Sequence, residues 1–370
     1  MKILLNGTHF TPAQALIEQL QKSDGQQIVY VGRKSTREGD KTGSVESQVL
    51  PKLGVRFIPL ISGRLSRNFS VWTLISLLKL PFGFLQSFWI VMKESPDVVV
   101  SFGGYLAFPI VFWAWWFSVP IVIHEQTLKL GLANWLSLPF ASQIAVAFPI
   151  ANLKNDSKTV VTGNPIRQAV LSNTKGSKQL EAFFKSDSNL PLLVILGGNQ
   201  GSHFINRLIG ENLDVLTSKY RLIHQTGDSK LNDYDYLCEK QSNLADKSRY
   251  LVSKWFETED LAAILTQADV VVTRGGMNTL YELALRKKPA LVIPIPITVQ
   301  KEQLQNAKFF QKVGLGDYLT QGEITDQVFL HRLASIVRDK SKYQGNEQSE
   351  KFFLRDGDAR LAQIVFATQY

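Results

Sequence analysis

Three junctions in this 370-residue sequence place glycines between an apolar run and a helix-like stretch, and each carries side chains that could do chemistry. In the first, Asn6-Gly7-Thr8-His9-Phe10-Thr11-Pro12 follows the apolar run Lys2 to Leu5. A glycine turn at a helix N-terminus offers unpaired N–H groups to an anion, and an imidazole there accepts a proton near neutral pH. The same histidine also reads as a solvated turn residue. The second junction is Leu196-Gly197-Gly198-Asn199-Gln200-Gly201-Ser202, whose spacing differs from the dinucleotide fingerprint G-x-G-x-x-G and equally suits an ordinary tight βα turn. The third is Arg274-Gly275-Gly276-Met277-Asn278-Thr279, with Glu282 on the helix beyond. A carboxylate so placed can accept hydrogen bonds from both ribose hydroxyls of a nucleotide whose pyrophosphate lies at the helix start, or can simply stabilise its own helix. Gln303 and Asn306 share a helical face after Pro294-Ile295-Pro296 and can read sugar hydroxyls or face solvent. Together the spacings suggest a nucleotide-sugar site.

The elements that must position these groups are parallel strands. Val- and Ile-rich runs followed by glycine turns and helical stretches read as βα units. The expected strands are Lys2 to Leu5, Gln27 to Gly32, Val55 to Leu60, Asp97 to Ser101, Ile121 to His124, Ile144 to Phe148 and Thr159 to Thr162. A second series runs Leu192 to Leu196, Arg221 to His224, Arg249 to Val252, Asp269 to Thr273 and Ala290 to Pro294. Length alone favours two domains, since one core rarely grows past about 250 to 300 residues. The polar stretch Ser172 to Asn189 reads as the linker, and Ser349 to Thr368 as a helix free to pack on either domain.

Other chemistries lack their motifs. There is no CxxC, HExxH or G-x-x-x-x-G-K-[ST], so zinc sites and P-loop phosphoryl transfer are unsupported. Asp233-Tyr234-Asp235 has metal-pair spacing but sits in a polar stretch and reads as solvated surface. The single Cys238 cannot form an internal disulfide, and the first residues are too briefly apolar for a signal peptide, which favours the cytoplasm. A net charge of +9 favours anionic partners, but no stripe of basic and aromatic residues suggests nucleic acid. Val98 to Ile123 has no charge, yet Gly103-Gly104, Pro109 and Pro120 punctuate it as strand, helix and strand rather than a membrane span. Residues Phe69 to Met92, with Arg64, Arg67, Lys79 and Lys93 nearby, read either as an apolar face for an anionic membrane surface or as a core helix.

Read in order, Phe102-Gly103-Gly104-Tyr105, His124-Glu125-Gln126, Gly131-Leu132-Ala133-Asn134, Ala147-Phe148-Pro149 and Gly163-Asn164-Pro165-Ile166-Arg167 resemble the N-terminal half of the MurG family. The C-terminal half is similar through Gly197 to Gly201, His224-Gln225-Thr226-Gly227, Arg274 to Thr279 with Glu282-Leu283, and Gln303 to Ala307. The family consists of bacterial cell-wall transferases that add N-acetylglucosamine to lipid I to make lipid II. The resemblance implies an α/β, GT-B glycosyltransferase fold of two Rossmann-like domains facing a cleft. Residues 1–168 would form the acceptor- and membrane-facing domain, 345–370 would pack back onto it, and 169–344 would bind the UDP-sugar.

The resemblance also implies roles for residues at matching positions. His9 falls at the general-base position, with Glu125 the next catalytic candidate. Thr8, Asn134, Arg167, Asn199, Gln200, Gly275, Gly276, Met277, Asn278, Thr279, Glu282, Gln303 and Asn306 would line the donor. Gly7, Gly103, Gly104, Tyr105, His124 and Gln126 would meet the acceptor. The implied reaction is an inverting, metal-independent transfer in peptidoglycan biosynthesis, with UDP-N-acetylglucosamine and lipid I as substrates and no cofactor. It would take place peripherally at the cytoplasmic face of the cell membrane, with cell-wall synthesis proteins as further partners. A GT-B transferase with another lipid acceptor, a UDP-N-acetylglucosamine 2-epimerase and a non-catalytic scaffold are the alternatives. The chain departs from the family pattern where Asn6-Gly7-Thr8-His9 is shorter than GGTGGH, and where Thr127, Asn199 and Glu302 replace other polar residues.

Overall fold

The computed structural model describes residues 1–34, 44–61, 71–153, 157–186, 189–198, 200–228, 231–298 and 301–368, without the side chains of 71–78 and 152. Asn199, Arg64 and Arg67 and the side chain of Leu77 lie outside the described set. The chain divides into two compact units, Met1–Arg167 with Leu354–Tyr370, and Gln168–Phe353.

The first unit is built on seven parallel strands: β1 (Lys2–Asn6), β2 (Gln27–Gly32), β3 (Arg56–Pro59), β4 (Val98–Ser101), β5 (Ile121–Glu125), β6 (Gln143–Val146) and β7 (Thr159–Val161). Their order is β3-β2-β1-β4-β5-β6-β7. Both faces of the sheet are covered, which is why its strands are continuously apolar rather than alternating. Ile3 and Leu5 of β1 point to one face and join helix Phe10–Leu20, while Leu4 joins the other with Val99, Ile110 and Ile123. The chain's last helix, Gly357–Ala367, contributes Leu361, Ala362 and Val365 to the first of these cores.

The second unit repeats the plan with β8 (Leu192–Leu196), β9 (Arg221–Gln225), β10 (Tyr250–Ser253), β11 (Val270–Thr273), β12 (Ala290–Val292) and β13 (Gly316–Tyr318). These are all parallel, in the order β10-β9-β8-β11-β12-β13. Strand order reverses beside β1 in one sheet and beside β8 in the other. The loops after β1 and β8 therefore leave the carboxyl ends of strands at the switch point, the usual ligand position in doubly wound sheets.

Three expectations need correction. β13 was not foreseen, because Gly-Asp-Tyr is a poor strand former that is held by pairing to Ala290–Val292. Ser172 to Asn189 is no linker. Its Thr174 hydroxyl donates to Glu259 O at 2.8 Å, and helix Lys178–Lys185 buries Leu180 and Phe183 in the second unit. Residues 345–353 also stay with the second unit, and the return to the first begins at Leu354. The uncharged run Val98 to Ile123 is β4, helix Ala107–Trp116 and the start of β5, and no helix among the described residues is long and apolar enough to cross a membrane.

Candidate functional site

The loop after β1 and the loop after β4 interlock. Thr8 N donates to Gly103 O at 3.1 Å, Phe102 N donates to Asn6 O at 2.8 Å, and the Tyr30 hydroxyl donates to Gly7 O at 3.1 Å. Gly104 has φ +85°, and a Cβ there would lie 2.0 Å from Thr8 Oγ1, so only glycine allows the two loops to approach. The shortened first loop is thus braced by its neighbour. Gly7, Gly103 and Gly104, expected on the acceptor side, come together here, with half-buried Tyr105 beginning the next turn.

His9 closes this loop at the N-terminus of helix Phe10–Leu20, half-buried and without capping its own helix. Its Nδ1 lies 2.7 Å from the side-chain nitrogen of Gln126, a residue that is itself buried. Burial lowers the imidazole pKa, the Glu125 carboxylate pulls it back up, and the Arg33 guanidinium lowers it further. The net is a ring that is neutral at neutral pH, as a general base requires.

Glu125 is buried and already occupied. It accepts from Thr127 N at 3.0 Å, Thr127 Oγ1 at 2.7 Å, Gly131 N at 2.9 Å and Asn134 Nδ2 at 2.9 Å. A carboxylate with its lone pairs so filled ties down the turn after β5 and acts on His9 through its charge, rather than reaching for a proton itself. Thr127, a departure from the family pattern, supplies two of these donors. Asn134 also donates to His124 O at 3.1 Å and rests against Gly103, so this residue, assigned to the donor, is built into the His124–Glu125 turn. The His124 ring is buried against Phe102 at 5.4 Å between centroids, and burial pushes its pKa down to about 4.

In the second unit, Gly276 begins helix Met277–Leu285, which buries Met277 and Glu282. Asn278 and Thr279 lie half-buried on its first turn. Asn306, read as a sugar-reading amide, is buried and donates to Gly275 O at 3.0 Å. Gln303 accepts from Ile295 N at 3.1 Å. Both therefore shape the glycine turn and the Pro294–Pro296 loop, and a Cβ on Gly275 would meet Gln303 O at 2.3 Å. Gln200 is exposed, while Arg167 is half-buried in the first unit.

Sequence reasoning passed over Arg274, which the structure places half-buried at the start of this turn. Its Nε is unpartnered and its charge is disfavoured by burial. A guanidinium with no carboxylate beside it among the described residues is suited to an anionic ligand. The available signal was that it is the only cation in the glycine turn.

Asp233, expected on a solvated surface, is buried. Its carboxylate lies 2.6 Å from His203 Nδ1 and accepts from Asn206 Nδ2 at 3.0 Å. Asn206 Oδ1 accepts from His224 Nε2 at 3.0 Å, and His224 Nδ1 accepts from the Tyr250 hydroxyl at 2.9 Å. The network secures the Thr226–Gly227 turn, against which Gly201 packs. Burial lowers the His224 pKa to about 3. An unfolded chain takes up these protons below about pH 6.5, but the folded chain refuses them until about pH 4 at His124 and about pH 3 at His224. Stability should therefore fall as pH drops from 7 to 5, by about 2 kcal/mol for each imidazole. Urea melts at the two pH values measure it, and equal midpoints would show that the rings titrate within the fold.

The two halves of the chain match named domains. Residues 6–146 match the glycosyltransferase family 28 N-terminal domain, and residues 192–361 match the family 28 C-terminal domain. A relative in Clostridium botulinum (strain Langeland) is 33% identical over 371 residues, covering 98% of both chains. It is named "UDP-N-acetylglucosamine--N-acetylmuramyl-(pentapeptide) pyrophosphoryl-undecaprenol N-acetylglucosamine transferase". One of the same name in Legionella pneumophila (strain Lens) is 34% identical, covering 90% of this chain and 87% of that one. Among solved structures, Acinetobacter baumannii MurG superposes with a TM-score of 0.70 at 21% identity, covering 99% of this chain and 100% of that one. A UDP-GlcNAc 2-epimerase from Neisseria meningitidis reaches 0.65 at 14% identity, with 99% and 100% covered, and shares the GT-B fold alone.

Proposed function

We propose, from the premise that this chain belongs to glycosyltransferase family 28, that it transfers N-acetylglucosamine from UDP-N-acetylglucosamine to the C4 hydroxyl of the muramyl sugar of lipid I, forming lipid II. The observation that carries the reading is identity of about a third, along nearly the whole length, to relatives bearing that name. The site geometry agrees with it.

A sugar hydroxyl is a poor nucleophile, and His9 is the neutral base beside the glycine loops that would hold the acceptor. As the acceptor oxygen bonds to the anomeric carbon with inversion, the hydroxyl proton passes to His9 and the bond to UDP breaks. The departing diphosphate carries concentrated negative charge, which the amides at the start of helix Met277–Leu285 and the Arg274 guanidinium are suited to meet without a metal. Glu282, in the second turn of that helix, is the acceptor for the ribose hydroxyls. Transfer to a short-chain lipid I analogue in EDTA tests the reading. Isomerisation of UDP-N-acetylglucosamine without acceptor would favour the epimerase instead, and nucleotide binding with neither reaction would favour the scaffold.

The lipid acceptor calls for a membrane-facing surface, and the first unit offers one. Helix Val71–Glu94 exposes Phe82, Leu85 and Trp89, and the end of helix Ala107–Trp116 exposes Trp115 and Trp116, with Lys93 beside them. An apolar, tryptophan-rich face with a basic neighbour suits the anionic cytoplasmic leaflet. Phe84 points inward instead, its ring 5.1 Å from that of Trp113. Changing Phe82 and Trp89 to Asp should release the protein from anionic vesicles, by at least about ten-fold in partition coefficient, while leaving its melting temperature unchanged. Undiminished vesicle binding would count against this face.

A further inference from the structure

Gln126 makes a contact that the reaction as described does not use. Its side-chain nitrogen lies 2.7 Å from His9 Nδ1, while its side-chain oxygen is buried with no partner. This arrangement suits a single state, a neutral ring with its proton on Nε2. Because Gln126 occupies Nδ1, an acceptor hydroxyl can approach the ring only at Nε2. To take a proton there, Nε2 must offer a lone pair, so the neutral ring must carry its hydrogen on Nδ1. The imidazolium formed afterwards also carries one there. An N–H on Nδ1 cannot face the amide NH2 of Gln126. It needs an acceptor, and the acceptor Gln126 owns is the atom now left unpaired. A half-turn of the amide, which exchanges two atoms of nearly equal size, supplies it.

We infer that Gln126 is a positioning residue that sets the tautomer of His9: its side-chain oxygen accepts from Nδ1–H and leaves Nε2 free as the base. This rests on the transferase reading above. In each turnover the acceptor O–H proton moves to Nε2, the acceptor oxygen bonds to the anomeric carbon, and the electron pair of the broken C–O bond leaves with UDP. Throughout, Nδ1–H stays on Gln126. Among the described residues, the charged and titratable groups facing the ring are Glu125, Arg33 and His124, and a neutral amide orients the imidazole without adding a second carboxylate beside Glu125.

The test is the 15N spectrum of the intact protein, in which five histidines give few resonances and His9→Asn identifies the one that vanishes. The expected result above pH 7 is a protonated Nδ1 and an unprotonated Nε2. The reverse tautomer overturns the inference. This readout needs no turnover, so it stands apart from the transfer assay. The right tautomer without transfer to lipid I analogue would sink the function and spare the geometry.

Kinetics add a second arm. Gln126→Leu should lower kcat about ten-fold or more with KM for UDP-N-acetylglucosamine unchanged. Gln126→Glu should restore kcat and move the acidic limb of kcat/KM to higher pH, because a carboxylate on Nδ1–H stabilises the imidazolium. If both variants fold with equal loss of kcat and Gln126→Glu leaves that limb where it is in the wild type, the inference is overturned and Gln126 is structural only.

Discussion

His9→Ala is expected to lower transfer to a lipid I analogue by about 100-fold or more while leaving UDP binding intact. The ring belongs to the first unit, whereas the amides, guanidinium and carboxylate suited to the nucleotide belong to the second, so truncation removes the base without touching the donor groups. The wild-type pH profile carries the same signature. Burial lowers the His9 pKa below its ordinary 6.5, so the base is neutral at pH 7 and kcat/KM falls only when acidification protonates it. In His9→Ala that limb should vanish with the activity. Single-turnover transfer and a UDP titration by calorimetry measure both. Unaltered transfer would remove His9 from the mechanism and send the search to Glu125, whose four donors would then have to yield.

Gly201→Ala is the second large effect, and here the cause is backbone geometry. Gly201 has φ +71°, and a Cβ would stand 2.0 Å from Thr226 O, a backbone atom that cannot swing aside. Left-handed strain and overlap together should cost about 3 kcal/mol or more and push apart the loop after β8 and the loop after β9. A lower melting temperature and at least about ten-fold weaker UDP binding are the expected readings. Gly276→Ala is the control. Its φ is −73°, nothing lies within 4 Å of the added carbon, and its melting temperature should stay near wild type. Equal melting of all three proteins would mean that the loops do not press together as described.

Much of the fold was legible because parallel strands covered on both faces must be apolar throughout. Runs such as Val98–Ser101 and Val270–Thr273 announce themselves without reference to the rest of the chain. The same logic hid β13, whose Gly316 and Asp317 disfavour a strand, which leaves Tyr318 alone to signal one, so that the segment takes its form from a neighbour. Local polarity misplaced Ser172 to Asn189 and Asp233 for a related reason. A lysine- or aspartate-rich stretch reads as solvated until a partner far along the chain, Glu259 or Asp260 for one and His203 and Asn206 for the other, is known to meet it.

Residue types and their spacing alone determined the two strand series apart from β13, the glycine turns that end β1, β8 and β11, and the family to which those turns belong, because these depend on short-range sterics and periodicity. Which polar groups are free to act was decided only by the tertiary structure. Glu125 and Asn306 are committed to backbone groups nearby in space, Arg274 stands without a carboxylate among the described residues, and His9 meets Gln126, 117 residues away in sequence. Hydrogen-bond partnership and desolvation are properties of assembled neighbours, and no local pattern in the chain encodes them.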